Sequence, residues 1–203
     1  MLNNNILSPD VQRYLADHQH EKASIIALRK SPFQNILSSE LAQQVDGRQR
    51  TQKKIPEWLN FPGIYFPPQL NLEQSSSTLT GKYKTSLLIQ GCNLIDLTGG
   101  YGVDSYFFSS KANSVVHCEI NTELSEIVKH NFSILGIKNV IFYALEGIEI
   151  LRNSTKHFDY IYLDPSRRVQ NRKVFRLQDC IPNVTEHQEL FFAKSETVIT
   201  KLA

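Results

Sequence analysis

From residue 93 onward the chain repeats one unit, a short apolar run followed by a turn and then a helical stretch. That rhythm constrains the fold more than any other feature. Asn93-Leu-Ile-Asp-Leu97 reads as a first strand, Gly99 to Gly102 as a glycine-rich turn, and Val103 to Ser110 as a helix. Ser114 to Glu119 is a second strand, followed by a helix capped at Asn121 or Thr122. Leu124, Ile127, Val128 and Leu135 share one face of that helix, and Gly136 stops it. Asn139 to Ala144 is a third strand, Gly147 to Arg152 a short helix, Phe158 to Leu163 a fourth strand, and Thr197 to Thr200 a fifth. Strands alternating with helices require parallel pairing through right-handed crossovers, so the expected architecture is an open, doubly wound α/β fold.

The first 60 residues follow a different pattern. Ser8-Pro9-Asp10 is a helix start with proline in the first turn, and Val11, Tyr14 and Leu15 follow on one face. Ser31-Pro32 repeats that signal, and Ile36, Leu37, Leu41 and Val45 recur at helical spacing as far as Asp46-Gly47. Arg48 to Lys54 holds four basic residues in seven, which is either a solvated helix end or a phosphate-contacting patch. Pro56, Pro62, Pro67 and Pro68 make an irregular crossing segment. Ser75 to Leu88 reads as a helix with Leu79, Tyr83 and Leu87 one turn apart. The expected division is a helical region and linker over residues 1–70 and an α/β domain over residues 71–203.

Composition excludes several classes. Cys92, Cys118 and Cys180 are too widely spaced for a CxxC zinc site or a disulfide framework, so no metal is expected. The N-terminus has no basic stretch leading into an apolar run, and no segment is apolar for the eighteen or so residues of a membrane span, so a reducing cytoplasm is the expected home. The net charge of +2 is too small to argue for or against nucleic acid, and only local clustering can do so.

In sheets of this kind ligands bind beyond the carboxyl ends of the strands, which directs attention to Asp96-Leu-Thr-Gly-Gly-Tyr-Gly102. Gly99, Gly100 and Gly102 let the backbone approach a ligand closely, and Thr98 shares that turn as a candidate cofactor-binding residue. A carboxylate at the mouth of that turn repels a pyrophosphate but attracts an ammonium or a sulfonium. Asp96 therefore favours S-adenosylmethionine over NAD or ATP, and the glycine signatures of those nucleotides are absent. Glu119 follows Gly102 by seventeen residues, at a second strand end, where a pure acceptor suits two ribose hydroxyls. Glu146 and Gly147 close the third strand, where an acceptor meets an adenine amino group; a plain surface glutamate is the alternative.

With Asp96, Glu119, Glu146 and Asp164 on successive strand ends, residues 93–166 resemble the class I S-adenosylmethionine-dependent methyltransferases. The resemblance implies a Rossmann-like fold, with the methionine part of the cofactor at the first acid and turn, ribose at the second acid, adenine at the third, and Asp164-Pro165 facing the substrate as catalytic residues. Two positions depart from the pattern. Thr98 stands where glycine is common, and Ser166-Arg167 replaces the proline and aromatic of many amino-methylating members. More narrowly, Lys54-Ile-Pro-Glu-Trp58, Leu72-Glu-Gln-Ser-Ser-Ser77, Asp96 to Asp104 and Asp164-Pro-Ser-Arg-Arg168 resemble a bacterial THUMP-like methyltransferase group, whose members carry a further C-terminal domain suggestive of RNA. This chain stops as its fifth strand ends, so the expectation is a product truncated at its C-terminus.

The expected function is methyl transfer to a nucleic acid, RNA first. Arg167, Arg168, Arg172, Lys173 and Arg176 put five positive charges in ten residues on the loop where a substrate must arrive. The competing reading is a truncated accessory protein that binds the cofactor or RNA without transfer. In a structural reading of the same loop, its arginines pair with carboxylates of a missing domain.

Overall fold

The computed structural model describes residues 2–169, 172–174 and 176–202. Its centre is a five-stranded parallel sheet of β1 (Asn93–Asp96), β2 (Ser114–Cys118), β3 (Val140–Tyr143), β4 (Phe158–Leu163) and β7 (Ser195–Thr200), in the order β3-β2-β1-β4-β7. Between β4 and β7 lies a small antiparallel pair, β5 (Arg168–Val169) and β6 (Arg172–Lys173). The strand order runs outward in opposite directions from β1 and β4, so the switch-point crevice opens between their carboxyl ends. The helices are α1 (Pro9–Asp17), α2 (Ala23–Leu28), α3 (Ser38–Lys54), α4 (Gln69–Gln74), α5 (Thr78–Ser86), α6 (Val103–Ser109), α7 (Thr122–Ile134), α8 (Gly147–Asn153) and α9 (Gln188–Lys194).

Both faces of the sheet are covered, which is why its inner strands read as nearly continuous apolar runs. Ile95, Val116 and Ile161 point to one side, toward Ile148 and Leu151 of α8 and Phe191 of α9. Leu94, Val115 and Tyr160 point to the other side, toward Leu88 and Phe108. The helical N-terminal region shares a single core with α6 and α7, in which Leu41, Val45 and Trp58 meet Phe107, Val128 and Phe132. Trp58 is fully buried, its ring centroid 5.2 Å from that of Tyr101 and 5.4 Å from that of Tyr106.

The proline-rich crossing segment opens with a 3₁₀ helix over Pro56–Asn60, which the expectation of an irregular stretch missed; from Phe61 to Pro68 it is irregular, yet Ile64, Tyr65 and Phe66 are buried. Its backbone is satisfied by two buried amide side chains instead of a ladder. Gln44 of α3 accepts from Phe66 N–H and donates to Phe66 O, both at 2.9 Å. Asn131 of α7 accepts from Tyr65 N–H at 2.8 Å and donates to Tyr65 O at 2.9 Å.

Two expectations are corrected. Ser31-Pro32 does not start a helix, because the Ser31 hydroxyl folds back onto the N–H and C=O of Phe33 and makes a local turn. The helix α3 begins at Ser38, where Glu40 reaches back to accept from Leu37 N–H at 2.7 Å, and it runs through Gly47 to Lys54. Gly47 does not end the helix; it lets α3 close onto Phe66, whose side chain occupies the space a Cβ would need. The second correction concerns α5, which exists but turns its other face inward. Leu79, Tyr83 and Leu87 are 79%, 67% and 49% exposed, while Gly81, Lys84 and Leu88 are buried.

Candidate cofactor and substrate cleft

The β1 turn is built by close approach. Gly99 lies against the ring of His117, which fills the place of a Cβ, and donates its N–H to Cys118 O at 2.7 Å. Gly102 caps α6 at φ +81°, a conformation that disfavours L side chains. Thr98 joins the two halves of the crevice, its hydroxyl accepting from Asp164 N–H at 2.6 Å.

Asp96 does not line the cleft. Its register partners are His117 on β2 and Tyr162 on β4, and like Leu94 it points into the layer under α5 and α6. It is 0% exposed, accepting from Thr98 N–H at 3.1 Å and from the Ser105 hydroxyl at 2.7 Å. Burial raises its pKa to about 7, against the opposing pull of the Ser105 hydrogen bond. Ser105 Oγ also lies 3.1 Å from His117 Nδ1, whose ring burial keeps neutral down to about pH 3. Asp96 therefore fixes the turn from beneath, and the expected direct contact with a ligand ammonium is withdrawn.

The second and third acids do face the cleft. Glu119 stands beside the turn, accepting from Gly100 N–H at 2.9 Å and from Asn121 N–H at 2.8 Å, and burial raises its pKa. Glu146 is exposed at the N-cap of α8, and Gly147 packs against the backbone of Leu97. Glu119, Glu146 and Gly147 line a cavity of about 270 Å³ whose apolar walls include Ile120, Ile148, Ile181 and Pro182. A smaller cavity of about 120 Å³ is lined by Thr98, Gly99, Gly100, Gly102, Asp104 and Ser76. Thr98 and Asp164 border both.

Asp164 borders a third cavity too, of about 620 Å³, with Pro165, Arg167, Lys54 and Lys201 in its wall. Its carboxylate pairs with Lys201 Nζ at 2.6 Å, a residue at the end of β7 that sequence reasoning passed over. Lys54, from the basic run, spends its ammonium on the carbonyls of Leu72, Glu73 and Ser75, and Arg50 bridges Asp46 and Glu73. That part of the run is structural, shaping the wall of this cavity. Arg167 lies at the cavity and Arg176 is exposed, while the side chains of Arg168, Arg172 and Lys173 lie outside the described part of the structure.

A buried polar cluster beneath the turn had no reading in the sequence. Lys84 pairs with Asp104 Oδ1 and donates to Ser76 Oγ at 2.8 Å and to the Tyr162 hydroxyl at 2.9 Å. Tyr162 and Ser76 in turn donate to Asp104 Oδ2 at 2.8 and 3.0 Å. Burial lowers the Lys84 pKa, and Asp104 opposes that. The available signal was the spacing of Gly81, Lys84 and Leu88, a helix face with a glycine on it for close packing. Among the described residues no group of three or more His, Cys, Asp or Glu is placed to hold a metal, and no helix is long and apolar enough to cross a membrane.

Comparison with known proteins agrees with this architecture. A crystal structure from Porphyromonas gingivalis W83, provisionally described as a methyltransferase, superposes with a TM-score of 0.80 at 27% identity, covering 98% of this chain and 49% of that one. A Mycoplasma mobile protein named as an uncharacterized RNA methyltransferase is 27% identical over 179 residues, which take in 81% of this chain and 48% of that protein. The chain thus spans about half the length of the relatives it matches. The doubly wound sheet with its glycine turn at the switch point is the class I methyltransferase fold. The family model described as conserved hypothetical protein 95 matches residues 77–200, from the start of α5 to the end of β7, and the chain belongs to that family.

Proposed function

We propose that this chain carries the cofactor-binding and catalytic part of an S-adenosylmethionine-dependent methyltransferase acting on RNA. The observation that carries the reading is the pair of neighbouring cavities at the switch point, which share Thr98 and Asp164 in their walls. One is small and polar at the glycine turn; the other is apolar, with Glu119 and Glu146 on successive strand ends. Those residues fit the cofactor. Glu119 has acceptor capacity left for ribose hydroxyls after its two backbone bonds, and Ile120, Ile148 and Ile181 offer apolar surface to an adenine. When bound, S-adenosylmethionine supplies a methyl group already activated on sulfur, so the protein's work is alignment and exclusion of water.

Alignment falls to Asp164 and Pro165, at the meeting point of the cofactor cavities and the larger one. The Thr98 hydroxyl fixes the backbone of Asp164 and Lys201 fixes its carboxylate, which leaves acceptor positions for a proton on a target group. Arg167 borders the large cavity, and the sequence from Arg167 to Arg176 carries five cations of the kind that grip a phosphate backbone. The name of the Mycoplasma mobile relative supports RNA as that partner. The motifs Lys54 to Trp58, Leu72 to Ser77 and Asp164 to Arg168 support placement in the THUMP-like group, and three free, buried cysteines support a reducing cytoplasm.

Transfer of labelled methyl from S-adenosylmethionine to total RNA tests the reading. Incorporation that Glu119→Ala abolishes is expected; none, with the chain folded and RNA supplied, overturns it. Replacing Arg172, Lys173 and Arg176 together by alanine should weaken RNA binding across sequences, lower its salt slope by up to about 3, and leave cofactor affinity unchanged. An unchanged salt slope would return this loop to a structural role.

A further inference from the structure

We propose that β3 is an association edge, on which a second copy of this chain pairs antiparallel about a twofold axis at Phe142. The proposal is independent of the cofactor reading and concerns the edge of the sheet opposite β7.

In the order β3-β2-β1-β4-β7, among the described residues, no strand pairs the outer side of β3. Asn139 O and Tyr143 O accept from Val115 and Glu119 N–H at 2.9 and 3.0 Å, so the odd-numbered residues turn their backbone toward β2. Val140 and Phe142 therefore turn theirs outward. Edge strands of monomeric proteins are commonly guarded by a charge, a proline or a bulge. Here Asn139 to Leu145 contains no charge and no proline, and the register with β2 runs without a bulge from Val140 to Tyr143. The opposite edge, β7, carries Glu196.

The side chains of this edge are bare on one face only. Ile141 and Tyr143 lie beside Val116 and Cys118, on the α8 side, and are 43% and 40% exposed against 5% and 0% for those neighbours. Leu145, just beyond the strand, is 49% exposed. On the other face Phe142 is anchored, its ring centroid 5.3 Å from that of Phe132 and 5.5 Å from that of His117.

Backbone parity and charge select the register. Opposed residues of an antiparallel ladder exchange both backbone bonds or neither, so an outward-facing residue must meet another, and the axis falls at Ile141 or at Phe142. With the axis at Phe142, Lys138 corresponds to Glu146 of the partner subunit, each four residues from the axis. With the axis at Ile141, Lys138 corresponds to the partner's Ala144 and the charges do not meet. Both ions are exposed, and neither forms an ion pair among the described residues. The chain leaves its extended path at Asn139 and after Tyr143, which puts these ions at the two ends of the shared ladder. The same axis sets Ile141 against the partner's Tyr143, a β-branched residue facing an aromatic one in the closer, non-hydrogen-bonded kind of pair. Pairing over a four-residue strand buries less than about 1,200 Å², the lower bound of stable interfaces, so the dimer is weak and reversible.

Sedimentation velocity of the whole chain at low salt, from about 1 to about 200 µM, tests this. The wild type is expected to pass from monomer to dimer across that range. Ile141→Lys, at an exposed position, is expected to stay monomeric throughout and to keep the wild-type melting temperature. Lys138→Glu is expected to weaken association by about tenfold, because two ion pairs per dimer become repulsive, and adding Glu146→Lys is expected to restore it. A wild type that stays monomeric overturns the proposal, and so does a dimer that Ile141→Lys leaves intact, since the contact then lies elsewhere. If Ile141→Lys does not fold, the charge exchange carries the test. A dimer that Lys138→Glu leaves unchanged, or that Glu146→Lys fails to restore, overturns the axis at Phe142.

Discussion

Asp96 and Asp104 stand at the two ends of one glycine turn, and the fold treats them in opposite ways. Asp96 is sealed, with a hydroxyl and an N–H for partners and no cation in contact. Asp104 is walled on one side by Lys84, Tyr162 and Ser76 and keeps an edge on the cleft. A carboxylate buried without a counter-charge relieves its desolvation by taking up a proton, whereas Asp104 is buried with an ammonium in contact. Residue type and sequence position are thus poor guides to which acid borders the cleft. Asp96 leaves β1 on its covered side, whereas Asp104, in the first turn of α6, borders the small cavity.

The contrast is broken most directly at Lys84. Lys84→Met removes the counter-charge of Asp104 and should cost about 3–5 kcal/mol of stability, because an unpaired buried carboxylate remains. Ser105→Ala, which strips the hydroxyl from Asp96, should cost only about 1–3 kcal/mol, since Asp96 can be protonated instead. Denaturant unfolding of the two variants reads the difference; equal losses would show that the two acids are held alike.

A smaller effect appears with pH. Asp96 titrates at about 7 in the fold against an ordinary 3.8, so as pH falls from 7 toward 4 the native state takes up a proton that the unfolded chain does not, and stability rises. His117 stays neutral to about pH 3 against an ordinary 6.5, so over the same range the unfolded chain alone takes up a proton there, and stability falls. The two contributions nearly cancel between about pH 6.5 and 4. Asp96→Asn leaves His117 unopposed and should lose about 2 kcal/mol between about pH 6.5 and 5, where wild type loses little from this pair. A variant as flat with pH as wild type would deny the burial of either group.

The smallest effect concerns Thr98, which touches both sides of the contrast, its N–H on Asp96 and its hydroxyl on Asp164. Thr98→Val keeps the first bond and removes the second, at a cost of about 1 kcal/mol, and Thr98→Ser should restore it. Thermal unfolding of the pair checks whether the crevice is tied at this point.

Much of this was legible in the sequence, and the misreadings share a cause. Strand, turn and helix limits from Asn93 to Leu163 came within a residue or two of those observed, because period and turn chemistry are local properties. The inward direction of Asp96 was also available, since a residue two places after the buried Leu94 shares its side of the sheet. In α5 the apolar spacing of Leu79, Tyr83 and Leu87 marks the exposed face, while Gly81 and Lys84 mark the buried one. Hydrophobicity alone could not reveal that this helix packs through a glycine and a buried lysine.

The sequence by itself determined the doubly wound sheet, the turn that marks its crevice, and the acids Glu119 and Glu146 at the following strand ends. Each of these follows from periodicity and spacing within a few tens of residues. Tertiary structure alone decided which acids are open and which are sealed, and which basic residues are spent. Lys84 meets Tyr162 across 78 residues and Lys201 meets Asp164 across 37. Burial and ion pairing are set by such distant neighbours: water must be excluded from all sides before a carboxylate's charge and direction are fixed, and no local stretch of chain can do that alone.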